Sequence, residues 1–290
     1  MKVSVIAWDC SFREKFHTID SFCKQDYPNI DFEFIWVDFY SNSNPELLKK
    51  IALYENASLL NLNNDKKTKW HLGKCINAGV KQAKGALLVF PDGDIVVQKD
   101  HLSTIRDVLE NREDLVVYFR RWDELQASHG EKSYSESYLE EHTKLLNATN
   151  YAGCFALHRT AFETINGYEE SDVFAGPGAN GRETYLRLRN AGYAIQWHNK
   201  KIFHPWHPST GSSDKYTEKL KEVAKHYSWV KPYSGLFQSW VLKQRELDLS
   251  YKASEGQVKQ YLENIPDVMA VLENDKSTKK LKSKLKKLIR

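Results

Sequence analysis

Two aspartates separated by a single glycine carry the strongest chemical signal in this chain. Asp92 and Asp94 flank Gly93, shortly after the apolar run at 86–90 (ALLVF). Hard divalent cations such as Mg²⁺ and Mn²⁺ take carboxylate oxygens and keep further positions for phosphate oxygens and water. Because Asp-Gly-Asp is also common in turns, the motif alone leaves a simple turn as the alternative.

Two histidines in the second half of the chain offer further metal ligands. His204 and His207 belong to the segment HPWHP at 204–208. Either imidazole could complete a metal shell or pack on Trp206, and the sequence leaves both alternatives open. Trp206 has the flat apolar face that suits stacking on a sugar ring.

The elements that must position these residues alternate between strands and helices. Short apolar runs predict strands at 3–7, 32–39, 57–62, 86–90, 115–119, 151–157 and 194–203. Helical spacing predicts helices at 12–23, 46–56, 73–83, 101–112, from about 159 and at 182–191, with loops at 128–137 and 172–181. This order predicts an α/β domain with a mostly parallel central sheet flanked by helices. Ligands bind at the carboxyl ends of strands in such sheets, where Asp38 and the Asp92–Asp94 pair lie.

The composition is that of a globular protein and excludes several classes. Of the 290 residues, 41% are hydrophobic and 28% are charged, and the four cysteines lack the spacing of a zinc site or a disulfide scaffold. No apolar run reaches the roughly 18 residues of a membrane span, and no leader precedes the first strand, so we expect a cytoplasmic protein. The absence of G-x-G-x-x-G and G-x-S-x-G motifs disfavours a dehydrogenase and a serine hydrolase.

The carboxyl-terminal segment differs in charge from the rest of the chain. Residues 276–290 carry eight Lys and Arg side chains and no acidic one, with Leu281, Leu285 and Leu288 at helical spacing. A basic amphipathic helix of this kind favours an anionic membrane surface, which would make the protein peripheral on the inner face of the membrane. A solvated terminus is the alternative. Nucleic acid is disfavoured as a partner because the remaining body is net acidic and shows no recognition motif.

Several motifs in fixed order resemble one enzyme family. Residues 3–100 resemble the donor-binding half of the family-2 glycosyltransferases, through VSVI, DSFCKQDYP, FIWVDFYSNS, GKCINAGVKQAKG and VFPDGDIVV. Residues 151–208 resemble the second half, in a form also seen in galactosyltransferase carboxyl-terminal regions. This resemblance implies a GT-A domain, a Rossmann-like nucleotide-sugar-binding fold, at 1–210. We expect a helical extension at 211–275 and the basic tail at 276–290.

The resemblance also implies roles for individual residues. Asp38 would hydrogen-bond the nucleotide base, most often uracil, and Ala7 and Trp8 would lie beside the base and ribose. Asp92 and Asp94 would hold Mn²⁺ or Mg²⁺, with His204 or His207 as a later ligand. Further donor contacts are implied at Lys74, Asn77 and Gly153, the last because glycine lets the backbone approach the donor sugar.

Two departures from the family pattern affect the predicted site. The segment Ala7-Trp8-Asp9-Cys10 replaces the usual Pro-Thr-Tyr-Asn, so Asp9 could take over a contact to the base or ribose. Asn180 and Gly181 occupy the positions where the family carries a Glu-Asp pair that supplies the general base. Glu183, the next acidic residue, is then the candidate base, and a carboxylate favouring a helix amino terminus is the alternative.

Together these features predict a metal-dependent glycosyltransferase. It would move a hexose or N-acetylhexosamine from a UDP-sugar donor to a glycan or lipid-linked acceptor. The departure at residues 180–181 leaves a second hypothesis, a catalytically degenerate module that binds a nucleotide sugar without turnover.

Overall fold

The computed structural model describes residues 1–10, 13, 15–28, 31–126, 134–147, 149–170, 174–176 and 180–208. Nine strands lie in this part of the chain: β1 (Val3–Asp9), β2 (Phe32–Tyr40), β3 (Ala57–Asn64), β4 (Leu87–Pro91), β5 (Val96–Val97), β6 (Leu115–Glu124), β7 (Thr143–Asn147), β8 (Cys154–His158) and β9 (Ala194–His204). The helices there are α1 (His17–Cys23), α2 (Pro45–Ile51), α3 (Leu72–Gln82), α4 (His101–Leu109), α5 (Glu136–His142), α6 (Arg159–Thr164) and α7 (Asn180–Asn190).

All nine strands belong to one sheet. Its order is β3-β2-β1-β4-β8-β6-β9-β5, and β7 pairs with β6 outside this path. Strands β1 to β4 form a parallel half, and β6 runs parallel to β9, so most paired residues are in parallel ladders. Strand β8 is antiparallel to both β4 and β6 and joins the two parts. The α/β fold with a mostly parallel sheet is therefore confirmed.

The sheet register brings the polar strand ends to one edge. Asp9 at the end of β1 pairs with Asp38 near the end of β2. Asp123 near the end of β6 pairs with His204 at the end of β9, although about 80 residues separate the two along the chain. Parallel pairing of strand ends thus gathers carboxylates and an imidazole from distant segments.

Alternating side chains of β1 fill two cores, one on each face of the sheet. Val3, Val5 and Ala7 pack on the face that α1 and α4 cover. Ile6 and Trp8 pack on the face that α3, α6 and α7 cover. Burial on both faces explains why β1 and its neighbours are continuous apolar runs.

Most predicted elements are present, with differences at their ends. The helix predicted at 46–56 ends at Ile51, because the chain must turn before β3 begins. The loop predicted at 128–137 gives way to α5, where Ser135 caps the helix by accepting from the Tyr138 amide. The loop predicted at 172–181 likewise gives way to α7 at Asn180. Strands β5 and β7 were not predicted, because long-range pairing rather than local pattern defines them.

Two predicted regions lie outside the described residues. They are the helical extension at 211–275 and the basic tail at 276–290. Within the described part of the chain, no helix has the length and apolar character needed to cross a bilayer.

Candidate metal and nucleotide site

Asp92 and Asp94 follow the end of β4, at the edge of the sheet where the polar strand ends lie. Asp92 follows the strand directly, and its backbone amide donates to the Gly153 carbonyl at 2.9 Å. Gly93 lies between the two aspartates, where a Cβ would come within 2.9 Å of the Trp8 carbonyl oxygen and 3.0 Å of the Trp36 ring. Close packing against residues of β1 and β2 therefore favours glycine at this position.

Asp94 and the two histidines form one cluster. Nε2 of His204 lies 3.7 Å from Oδ1 of Asp94, and Nε2 of His207 lies 3.4 Å from Oδ2. One ligand atom from each of the three residues falls within 4.8 Å of the others. The structure thus brings together three of the four predicted metal ligands, from segments more than 100 residues apart in the sequence.

The cluster contains an acceptor that a cation would satisfy. Oδ1 of Asp94 is buried and accepts no hydrogen bond from any described residue. A buried carboxylate oxygen without a partner is costly, and carboxylate and imidazole donors suit Mn²⁺. The donor set and the unsatisfied oxygen therefore fit a divalent ion of the predicted kind.

Two acidic residues at the end of β6 contact the segment that carries the two histidines. Oδ1 of Asp123 lies 3.0 Å from Nδ1 of His204, which directs Nε2 of that ring toward Asp94. Oε2 of Glu124 accepts from the Trp206 amide at 2.8 Å and holds the loop between the histidines. Carboxylates in such positions fix the tautomer and orientation of a ligating histidine. Sequence reasoning missed both residues, although two consecutive carboxylates after an apolar strand were a visible signal.

The electrostatics of the two aspartates differ. Burial, followed by repulsion from Asp94, raises the pKa of Asp92 well above its usual range. Burial alone would also raise the pKa of Asp94, but Arg13, His207 and His204 together hold it well below its usual range. The contact with Asp94 in turn raises the pKa of His207. Negative charge is therefore concentrated on Asp94, and Arg13 is a further charged residue that sequence reasoning missed.

The predicted base-binding residues lie at the neighbouring strand ends. Asp38 is buried, and its Oδ2 accepts from the Ser43 hydroxyl at 2.8 Å. Asp9 is also buried, and its Oδ1 accepts from the Cys10 amide at 2.7 Å and from Arg13 at 3.2 Å. Ala7 is fully buried within β1 and its side chain faces the core, so this structure gives it no exposed surface for the predicted contact.

The other predicted donor contacts are more widely spread. Lys74 lies half-buried in the first turn of α3. The Asn77 amide nitrogen donates to the Tyr168 carbonyl and to Glu170, both at 2.8 Å, and its oxygen accepts from the Tyr168 amide at 2.8 Å. These bonds use the whole Asn77 carboxamide to fasten α3 to the segment after α6. Gly153 lies beside β9, where a Cβ would come within 3.1 Å of Ile202.

Glu183 does not reach the site as a free carboxylate. Both of its oxygens bind the guanidinium of Arg187, at 2.6 and 2.8 Å, in a pair whose side chains are at most 3% exposed. Arg187 also donates to the carbonyls of Ile165 and Gly167. A base must be able to reach the proton that it removes. The predicted base is therefore corrected to a structural residue that ties α7 to the end of α6.

A small hollow opens beside Asp92. Trp8 and Tyr168 line it together with Ile76 of α3 and Phe155 of β8. The Trp8 ring also stacks on Trp70, with ring centroids 5.4 Å apart. The volume of the hollow, about 10 Å³, matches a single water-sized molecule, so it is a narrow gap between aromatic side chains and a carboxylate.

Comparison with known proteins gives matches in sequence and in fold. The sequence profile described as glycosyl transferase family 2 matches residues 17–165. The poly(ribitol-phosphate) beta-N-acetylglucosaminyltransferase TarP of Staphylococcus aureus (strain N315) is 32% identical over 118 residues, or 40% of this chain. That match spans 36% of TarP, about a third of its length.

Solved structures share the fold at low sequence identity. S. aureus TarS 1-349 in complex with UDP-GlcNAc superposes with a TM-score of 0.56 at 17% identity, covering 88% of this chain and 78% of TarS 1-349. GalNAc-T7 with UDP, GalNAc and Mn²⁺ gives a TM-score of 0.59 at 14% identity, covering 91% of this chain and 54% of that one. The fold expected from the sequence motifs is therefore confirmed.

Proposed function

Since this chain belongs to glycosyl transferase family 2 and is a glycosyltransferase of the GT-A fold, we propose that it uses a divalent cation and a UDP-sugar donor. The donor would be a UDP-hexose or a UDP-N-acetylhexosamine, and the acceptor a glycan or a lipid-linked acceptor. The observation that carries the metal requirement is the unsatisfied Oδ1 of Asp94, in a carboxylate that lies against two imidazoles. Of these donors, a UDP-N-acetylhexosamine is favoured, because the relative TarP is an N-acetylglucosaminyltransferase and TarS 1-349 was solved in complex with UDP-GlcNAc.

In this proposal, residues at the ends of different strands bind different parts of the donor. Asp38 binds the base at the end of β2, and Asp94, His204 and His207 hold the ion, with Asp92 beside them. The ion, when bound, neutralises the diphosphate and stabilises it as a leaving group. Asp123 and Glu124 keep the imidazoles oriented, and Trp8 lies beside the base and ribose.

Titration calorimetry with UDP, in Mn²⁺ and again in EDTA, tests the metal requirement. We expect Asp94→Asn to weaken Mn²⁺-dependent UDP binding by about 100-fold, because the charge-bearing ligand is lost. Asp114→Asn is the matched control, since Asp114 is exposed and pairs with Arg112 just before β6, at the opposite edge of the sheet. UDP binding that is equally tight in EDTA, or in Asp94→Asn, would refute the proposal.

Turnover separates a working transferase from a module that only binds. Release of UDP from UDP-GlcNAc and from UDP-glucose, with Mn²⁺ present, should occur in the parent protein and stop in Asp94→Asn. Donor binding without any UDP release, with water or with added glycan acceptors, would favour the degenerate module.

We also propose that the basic segment at 276–290 attaches the enzyme to an anionic membrane surface. Its eight basic side chains support this, because each one near such a surface contributes about 1 kcal/mol. Truncation after residue 275 should reduce sedimentation with phosphatidylglycerol vesicles and leave UDP binding unchanged. Equal sedimentation of the truncated and full chains would contradict this part of the proposal.

A further inference from the structure

A buried arginine supplies positive charge to the proposed ion site before any ion binds. The Arg13 side chain is only 7% exposed, and its NH2 group donates to Oδ2 of Asp94 at 3.1 Å. Its NH1 group donates to the Trp8 carbonyl at 2.9 Å and to Oδ1 of Asp9 at 3.2 Å. One guanidinium thus joins the end of β1 to the carboxylate on which the ion site depends.

The surroundings of Arg13 hold its guanidinium in place. Three acceptors from two strand ends bind it, and the Trp8 ring lies beside it with its centroid 5.1 Å away. On the side of the aspartate turn, even a Cβ on Gly93 would come within 3.0 Å of Nε. Withdrawal of Arg13 to make room for an ion would leave the buried Asp9 carboxylate without this partner, which is unfavourable.

A resident guanidinium and an incoming ion must therefore share Asp94. Arg13 binds Oδ2, while Oδ1 faces His204 and remains available. Two oxygens of one carboxylate lie about 2.2 Å apart by covalent geometry, so a divalent ion on Oδ1 lies within a few ångströms of the guanidinium. At that distance and with this burial, repulsion between the two cations is substantial. The ion alone is opposed by Arg13, whereas an ion accompanied by a diphosphate brings compensating negative charge.

We propose that Arg13 makes binding of the metal ion and of the nucleoside diphosphate mutually dependent. Free Mn²⁺ binds weakly to the parent protein, and the ion and diphosphate bind tightly together, because the phosphates offset the repulsion from Arg13. Reciprocity requires that the ion strengthen diphosphate binding by the same factor. This inference rests on the proposed function, and Arg13 acts in it as a positioning residue that holds Asp94 rather than as a metal ligand.

The test measures Mn²⁺ affinity from the free-ion signal in electron paramagnetic resonance, with and without saturating UDP, after correction for the Mn²⁺ that the same UDP concentration binds without protein. In the parent protein we expect UDP to tighten Mn²⁺ binding by at least about tenfold. Arg13→Met removes the charge at similar length, so Mn²⁺ alone should bind on the order of tenfold more tightly and the effect of UDP should shrink. Arg13→Lys retains the charge and should retain most of the effect of UDP.

Arg112→Met is the matched control, because Arg112 is half exposed and lies just before β6, away from the strand ends that hold the ion. It should match the parent protein in both affinities. Circular dichroism melts establish that each variant is folded. If Arg13→Met does not fold, the parent protein still decides, since equal Mn²⁺ affinity with and without UDP overturns the inference.

The remaining outcomes separate this inference from the proposed function. Mn²⁺ binding to Arg13→Met that is as weak as in the parent, with an equally large effect of UDP, overturns the inference and leaves the metal-dependent enzyme intact. Absence of Mn²⁺ binding to the parent protein even with UDP overturns both.

Discussion

Asp94 and Glu183 are both acidic residues shielded from solvent, yet their surroundings give them opposite properties. Glu183 has each oxygen bound by Arg187, which also satisfies two backbone carbonyls. Asp94 shares one oxygen with Arg13 and His207 and leaves the other without a hydrogen bond from the described residues. The protein itself satisfies the Glu183 carboxylate, whereas it leaves an oxygen of Asp94 that the proposed metal ion would satisfy.

Glu183 and Asp94 differ in the property that leaves a buried carboxylate available to a cation. Burial and acidity are common to both residues, so neither is informative alone. Asp94 keeps a carboxylate oxygen without a hydrogen bond from the described residues, whereas both oxygens of Glu183 are hydrogen-bonded. This difference determines whether a cation would stabilise the carboxylate.

The largest expected effect is on stability and follows from Arg187. Arg187→Met leaves the Glu183 carboxylate buried without its partner, so we expect the free energy of unfolding to fall by about 3–5 kcal/mol. Urea denaturation followed by circular dichroism measures it. The double variant Glu183→Leu/Arg187→Met removes both charges and should recover most of the loss. A single variant as stable as the parent protein would show that the pair is not a closed structural unit.

A smaller effect, on Mn²⁺ affinity, is expected for Asp123, which contacts His204 at the proposed ion site. Asp123→Asn weakens the contact that orients His204, so Mn²⁺ affinity in the presence of UDP should fall by about tenfold. The unfolding free energy should change far less than in Arg187→Met. Asp107→Asn, at an exposed carboxylate of α4, is the control. Mn²⁺ affinity that does not change in Asp123→Asn would remove this carboxylate from the ion site.

The smallest expected effect is the pH dependence of Mn²⁺ affinity, which depends on Asp92 and His207. The pKa values of Asp92 and His207 are both raised, so both groups take up protons as the pH falls from about 8 to about 6. Only the deprotonated forms bind a metal ion, so Mn²⁺ affinity should decrease over this range. His207→Asn should make the dependence shallower by about one proton. A flat pH profile in the parent protein would argue against Asp92 and His207 as ligands.

Local chemistry explains what could be predicted of the site from the amino-acid sequence. Asp92 and Asp94 are close in the chain and follow an apolar strand, so their placement at a sheet edge needs no long-range information. His204 and His207 are also close in the chain, so their proximity to each other needs no long-range information either. The pairing of Glu183 with Arg187 was also visible as favourable i, i+4 spacing, although its burial was not.

Long-range register explains what could not be predicted. Asp123 supports His204 only because β6 and β9 run parallel in the register that places the two residues side by side. Arg13 reaches Asp94 because β1 and β4 are neighbours in the sheet. No local pattern reports either contact, since each one joins residues about 80 positions apart in the chain.

The order of amino acids alone was sufficient to predict the architecture and to suggest a metal site. Buried parallel strands need continuous apolar residues, and hard cations need carboxylates, so both leave local patterns that can be recognised. Folding in three dimensions determined which carboxylates keep an unused oxygen and which are already satisfied. That distinction depends on distances between segments far apart in the chain, and it separates Asp94 at the proposed ion site from Glu183 in the core.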